Sequence, residues 1–346
     1  MSRMLEEIRQ QPVTLARTLS SELKKIEKFR ALMAKKKPSL VVLAARGTSD
    51  NAAQFGRYLI EITTGIPVSL AAPSIHTVYG KSVNYKDALV VAISQSGEST
   101  DTNVVLQHAR EAGAVTVGIT NEAKSSMTEI AEHVFLVRAG REKSVAATKT
   151  YTGQLMMLYL LAYALGGDIR IADLEAVPDL AASALTLERE VAALAERYRF
   201  MHHAVVVGRG LNYSNAFEFA LKMMETSYVV AERFSSADFL HGPIAMVEPN
   251  FPAFLFAPSG PTWKSMEEML VKLQGLKAET VVISDKGNPA VGRLTARAMT
   301  IPAKIAELYT PIPYIIPAQL FAASLSAEKG LNPDQPRTLS KVTLTL

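Results

Sequence analysis

Leu15, Leu19, Leu23, Ile26 and Phe29 recur at three- and four-residue spacing, the apolar stripe of an amphipathic helix. Lys35, Lys36 and Lys37 close it just before Pro38, as expected where cations favour a helix C-terminus. The next run, Ser39-Leu-Val-Val-Leu-Ala-Ala-Arg-Gly47, is apolar without polar alternation and ends in a polar turn. Such a run predicts a strand covered on both faces, as in a parallel sheet. The same order then returns. Leu187, Val191 and Leu194 mark a second amphipathic helix, and His203-Ala-Val-Val-Val-Gly-Arg-Gly210 a second covered strand. Gly47 and Gly210 stand 163 positions apart, and so do Gly97 and Gly260, which end the runs Val90–Gly97 and Phe254–Gly260. Ala114–Thr120 and Ala278–Ser284 repeat at an offset of 164. Three strand ends repeated in order predict a duplicated α/β fold: two tandem three-layer α/β/α parallel-sheet domains, each running strand, helix, strand, helix, strand. The expected division is N-terminal helices over 1–37, a first domain over 38–170, a second over 171–330 and a C-terminal tail over 331–346.

Composition narrows the chemistry. With 346 residues, 48% of them hydrophobic, the chain can bury two ordinary cores. Its net charge of +4, spread along the sequence, leaves no basic footprint for nucleic acid. There is no cysteine, hence no disulfide, thiolate metal site or thiol nucleophile. The six histidines form no His-x-x-x-His or other compact ligand set, so neither metal nor cofactor is expected. The most hydrophobic stretch, Leu155–Leu165, is short of the roughly 20 residues that span a bilayer and predicts a buried helix. The polar start from Met1 to Pro12 lacks a signal-peptide core. These features predict a cytoplasmic protein without membrane contact.

In parallel sheets of this kind, ligands bind at the carboxyl ends of the strands. The richest such turn is Ser94-Gln-Ser-Gly-Glu-Ser-Thr-Asp-Thr102, ahead of a helix carrying Val104, Leu106 and Ala109. Hydroxyls, a glycine and backbone N–H groups at a helix N-terminus suit a phosphate monoester; an ordinary Ser/Thr helix cap is the plainer alternative. Gly47-Thr-Ser-Asp50 adds hydroxyls to the same region, and no lysine stands where a nucleotide-binding loop needs one. The second copy, Ala257-Pro-Ser-Gly-Pro261, has lost most donors. Its candidate chemistry lies instead on a predicted helix, Ala216–Glu225, where Glu218, Lys222 and Glu225 share one face at i, i+4 and i+7; a surface Glu–Lys pair is the plainer alternative. A polar loop, Ser235–Pro243, then presents His241, a plausible acid–base partner for a carboxylate.

Motifs in this order resemble the sugar isomerase (SIS) superfamily: Arg46–Ser49, Ser94–Ser99, Val145–Lys149, Glu218–Glu225, His241–Pro243 and the tail Asp334–Lys341. In detail they are similar to the isomerase half of the glucosamine-6-phosphate synthases, and more closely to stand-alone glucosamine-6-phosphate deaminases. The resemblance implies a flavodoxin-like SIS fold and a hexose 6-phosphate substrate. It implies phosphate binding by Thr48, Ser94, Gln95, Ser96 and Ser99, with sugar contacts from the backbones of Val145 and Ser340. Glu225 matches the base that moves a proton between C1 and C2, and Lys222 a lysine near the developing enolate oxygen. His241 matches a ring-opening histidine donated by a neighbouring subunit, which implies a homodimer. Lys341 matches a lysine that forms a Schiff base with the open keto sugar.

The synthases add a glutamine-hydrolysing domain with a cysteine nucleophile, which these residues lack. The expected reaction is therefore release: glucosamine 6-phosphate to fructose 6-phosphate and ammonia. The alternatives are cleavage of a fructosamine 6-phosphate, another isomerising hexose-6-phosphate activity, or a non-catalytic sugar-phosphate sensor.

Overall fold

The computed structural model describes residues 2–339. Each copy builds a five-stranded, wholly parallel sheet. In the first, β1 (Leu40–Ala44), β2 (Val68–Leu70), β3 (Ala88–Ser94), β4 (Val115–Thr120) and β5 (His133–Leu136) lie in the order β2-β1-β3-β4-β5. In the second, β6 (His203–Gly208), β7 (Val230–Ser235), β8 (Pro252–Phe256), β9 (Glu279–Asp285) and β10 (Ala298–Ile301) lie in the order β10-β9-β8-β6-β7. Numbered within each copy, the two orders are the same. The duplication is therefore one of topology as well as sequence. Each central strand is buried along its length, β3 at all seven positions and β8 at all five. Covering helices leave neither face to water, which is why these strands lack alternation.

The compact units are not continuous in sequence. One gathers Val13–Glu142 and Lys149–Ala176; the other gathers Val177–Thr338, Lys143–Thr148 and residues 2–12. We call them the N-terminal and C-terminal units.

Several predicted elements appear in place. Helix Gln11–Lys36 buries Leu15, Leu19, Ile26 and Phe29 and stops at the lysine run. Helix Lys149–Ala164 contains all of the apolar stretch but its last residue, Leu165, and is buried at almost every position. Three differences arise. Two helices, Ile171–Leu185 and Glu188–Arg197, precede the second sheet where one was expected. Each sheet has five strands rather than three, the additional ones being short or half-polar. Within the expected polar loop, Ser236–Leu240 is helical, because Ser235 caps it: its Oγ accepts the Asp238 amide at 3.2 Å and donates to the Asp238 carboxylate at 2.7 Å.

In both sheets the chain leaves the first strand to one side and returns on the other, so a switch point lies between β1 and β3 and between β6 and β8. Helix Tyr213–Ser227 follows β6 and is held against the sheet by Phe219, whose ring meets Phe254, Phe256 and Phe321 at 5.2–6.3 Å. Truncating so central a ring to alanine typically costs about 3–5 kcal/mol.

Candidate active site

The cradle forms because β3 carries its last residue, Ser94, to the edge of the core. Ser94 Oγ accepts the Gly97 amide at 3.1 Å and bends the chain at once. Gly97 has φ +68°, and a Cβ there would collide with the Ser125 side chain, so glycine is required twice over. Its carbonyl accepts from Asn103 Nδ2 and from the Met127 amide, each at 3.0 Å. Thr120 Oγ1 and the Asn121 amide fix the Gln95 carbonyl at 3.2 and 3.1 Å. The turn is thus bound on every side before any ligand arrives. Ser96 and Ser99 stay half-buried. Ser99 precedes helix Thr100–Glu111 with non-helical ψ 109°, yet its side chain makes no capping bond, so its hydroxyl is not committed to its own helix.

Three nearby acids are hydrogen-bonded within the protein. Arg46 donates through Nε and Nη2 to one oxygen of Asp101, at 2.9 and 2.6 Å. That pair ties the turn after β1, with Thr48, to the cradle helix. Glu98 accepts from the Ser126 hydroxyl at 2.6 Å and amide at 3.0 Å, which lowers its pKa. Gln95 Nε2 donates to buried Glu142 at 2.9 Å. Glu142 also accepts from the Thr150 amide at 3.2 Å. Thr48, Ser94, Gln95, Ser96 and Ser99 therefore share one region of the N-terminal unit. Arg46, Asp101 and Glu142 were assigned no role from the sequence.

In the C-terminal unit the three ionisable groups of helix Tyr213–Ser227 do not face water. Lys222 Nζ lies 2.5 Å from Glu225 Oε2 and 3.3 Å from Glu218 Oε1. Glu218 and Lys222 side chains are 0% exposed, whereas Glu225 is 22% exposed. Burial pulls the Lys222 pKa down, but the two carboxylates outweigh it and the net shift is upward. The ammonium stays charged and pins Glu225, the member of the triplet that a ligand can reach.

His241 stands elsewhere in this unit, on an exposed turn after Ser236–Leu240, its amide bonded to the Asp238 carbonyl at 3.1 Å. It makes no hydrogen bond or ion pair with Lys222 or Glu225 among the described residues. Val145 is half-buried in the loop Lys143–Thr148. Ser340 and Lys341 lie outside the described residues. No group of three or more His, Asp or Glu side chains arranged to hold a metal occurs among the described residues.

The SIS domain profile matches residues 32–164 and again 199–329, once over each sheet. The chain belongs to the SIS domain family. Its curated SIS relatives include the glutamine–fructose-6-phosphate aminotransferases (isomerizing) of Aquifex aeolicus, 36% identical, and Pyrococcus horikoshii, 35% identical. Each alignment covers 98% of this chain but 57% of the relative, so the chain spans little more than half of their length. Among solved SIS structures, the C-terminal domain of glucosamine-fructose-6-phosphate aminotransferase from Francisella tularensis superposes with a TM-score of 0.87 at 28% identity. That match covers 97% of this chain and 98% of the other. A glucosamine-6-phosphate deaminase from Thermotoga maritima shares the fold, with a TM-score of 0.77 at 20% identity over 99% and 100% of the two chains.

Proposed function

We propose that this chain binds a hexose 6-phosphate and moves a proton between C1 and C2 of the opened sugar, converting glucosamine 6-phosphate and water to fructose 6-phosphate and ammonia. The observation that carries this reading is Glu225: a carboxylate held by a sealed ammonium, one side still open, on the helix after a parallel-sheet switch point. Thr48, Ser94, Gln95, Ser96 and Ser99 take the phosphate, and that remote binding energy orients the reacting carbons. His241 opens the ring. Glu225 removes the proton at C2 and returns it at C1, so the C2 amine becomes an imine. Water adds to that imine and ammonia leaves. Lys222 holds Glu225 in place. Lys341 forms the imine with the keto sugar in the reverse sense, and the Val145 and Ser340 backbones hold its hydroxyls.

Isomerising relatives support the C1/C2 step, and the resemblance set out above supports the individual roles. The direction proposed rests on mass action: with dilute ammonia in solution, release is favoured. His241 sits on an exposed turn with Leu240 and Met246, 43% and 44% exposed, which suits a residue offered to a second copy in a homodimer. A sugar-phosphate substrate supports a cytoplasmic reaction. Among the described residues no helix is long and apolar enough to cross a membrane.

Ammonia release across a panel of amino-sugar phosphates tests the reading. Glucosamine 6-phosphate should react and unphosphorylated glucosamine should not. Cleavage of a fructosamine 6-phosphate alone would replace it with a deglycase. Binding of both without reaction would make the chain a sensor.

A further inference from the structure

Glu142 has no task in the proposed reaction, yet it is 6% exposed and bonded to the cradle. A buried carboxylate is costly unless its oxygens are hydrogen-bonded, and Glu142 is bonded on two sides. Its Oε1 accepts the Thr150 amide at 3.2 Å. Its Oε2 accepts the Thr150 hydroxyl at 2.5 Å and Gln95 Nε2 at 2.9 Å. Thr150 stands in the first turn of helix Lys149–Ala164, where the helix dipole favours an anion. Lys149, in the same turn and 3% exposed, donates from Nζ to the Arg141 carbonyl at 2.8 Å. Residues 141–142 are thus fastened to the helix start on one side and, through Glu142, to the cradle turn on the other.

The backbone of Gln95 is held from β4, through the Asn121 amide at its carbonyl. The Asn121 side chain secures the segment after β5: its Oδ1 accepts the Ala139 amide at 2.9 Å and its Nδ2 donates to the Gly140 carbonyl at 2.8 Å. The exits of β3, β4 and β5 therefore form one bracket, in which Gln95 is gripped by backbone and side chain alike. A turn fixed during folding does not have to be ordered when its ligand arrives.

We infer that Glu142 is a positioning residue for the phosphate: acting through Gln95, it sets the affinity for the 6-phosphate without touching the ligand. This rests on the proposed role of Gln95. The bracket itself is a property of the described residues.

A double-mutant cycle of Gln95→Ala and Glu142→Ala tests it, read by calorimetric titration with glucosamine 6-phosphate. Each single variant should weaken binding about tenfold. The double variant should bind within about twofold of Gln95→Ala, because the acid acts through the amide. In Glu142→Ala, KM should rise in step with Kd, and by a larger factor than kcat falls. Glu142→Gln is near-isosteric and guards against misfolding. Its bonds are no longer charge-assisted, so binding should weaken about threefold; if the alanine variant does not fold, the cycle is run with glutamine. Hydrogen exchange of the Gln95 side-chain amide by NMR should quicken in either variant. Binding equal to the parent in both Glu142 variants would overturn the inference. So would unchanged exchange, or a Glu142→Ala loss that persists in full on the Gln95→Ala background. A parent protein that binds no glucosamine 6-phosphate would sink the proposed substrate instead, a separate failure that leaves the exchange result standing.

Discussion

The turn after β3 and the turn after β8 hold the same place in the two copies and treat negative charge in opposite ways. Ser96, Gly97 and Ser99 correspond at an offset of 163 to Ser259, Gly260 and Thr262, and Ser99 and Thr262 each stand just before a helix. In the second copy, Glu307 reaches in from the segment after β10. Its Oε2 accepts the Thr262 amide at 3.1 Å and its Oε1 the Thr262 hydroxyl at 2.8 Å. A Cβ on Gly260 would press into that carboxylate. A helix N-terminus favours an anion, and here the protein supplies its own. In the first copy Asp101 is tied to Arg46 and Glu98 to Ser126, Ser99 makes no capping bond to its helix, and this is the turn proposed to take an anion from outside.

The helices after β1 and β6 reverse the pattern. Counted from Gly47 and Gly210, Phe55, Leu59 and Ile62 stand where Glu218, Lys222 and Glu225 stand. The burial matches, the first two sealed and the third open, but the chemistry does not. One geometry made twice has thus been divided. The first copy carries the proposed anion turn and an apolar triplet on its helix, the second a turn filled by Glu307 and a charged triplet.

The largest effect should come from breaking the charged helix. Lys222→Met leaves Glu218 sealed without its cation and should cost about 3–5 kcal/mol in urea unfolding. Glu218→Leu/Lys222→Met, which copies the apolar pair of the first repeat, should recover most of that stability. It should not recover turnover. Next, Glu225→Gln should lower turnover by roughly 10²-fold in the ammonia assay, the usual reach of a general base, with little change in thermal midpoint. The cradle comes third. Ser96→Ala should weaken calorimetric binding of the sugar phosphate by about 1.5–3 kcal/mol, the worth of a hydrogen bond to a charged group. Ser259→Ala, its counterpart, should leave binding unchanged. Smallest is the plug: Glu307→Ala should lose roughly 1–2 kcal/mol for two hydrogen bonds. Inorganic phosphate should then raise the thermal midpoint of that variant more than it raises that of the parent. Equal shifts would mean that the second turn is no anion site.

Which parts were legible in the sequence follows from range. The central strands could be read because burial on both faces leaves an unbroken apolar run. The edge strands could not: Val68–Leu70 has three residues, and Val230–Ser235 mixes Glu232 and Arg233 with apolar neighbours. The helix Ser236–Leu240 was readable in principle, since Ser235 and Asp238 have capping-box spacing. In the site, the hydroxyls of Ser94–Ser99 and the Glu218–Lys222–Glu225 face were local signals. The partners that tune them were not. Asp101 lies 55 residues from Arg46, Glu142 lies 47 from Gln95 and Glu307 lies 45 from Thr262. No spacing rule joins such pairs before the chain has folded. The burial of Lys222, which turns a surface-like Glu–Lys pattern into a sealed ion pair, likewise shows only in the folded chain.

The central claim is that Glu225 carries a proton between C1 and C2, and it can be watched without any assumption about the amine. Fructose 6-phosphate incubated with the protein in D2O should lose one C1 proton signal by NMR as deuterium enters from solvent. Glu225→Gln should abolish the exchange while still binding the sugar phosphate. Saturating fructose 6-phosphate that binds the unaltered protein and keeps both C1 protons, or exchange that persists undiminished in Glu225→Gln, would contradict the account.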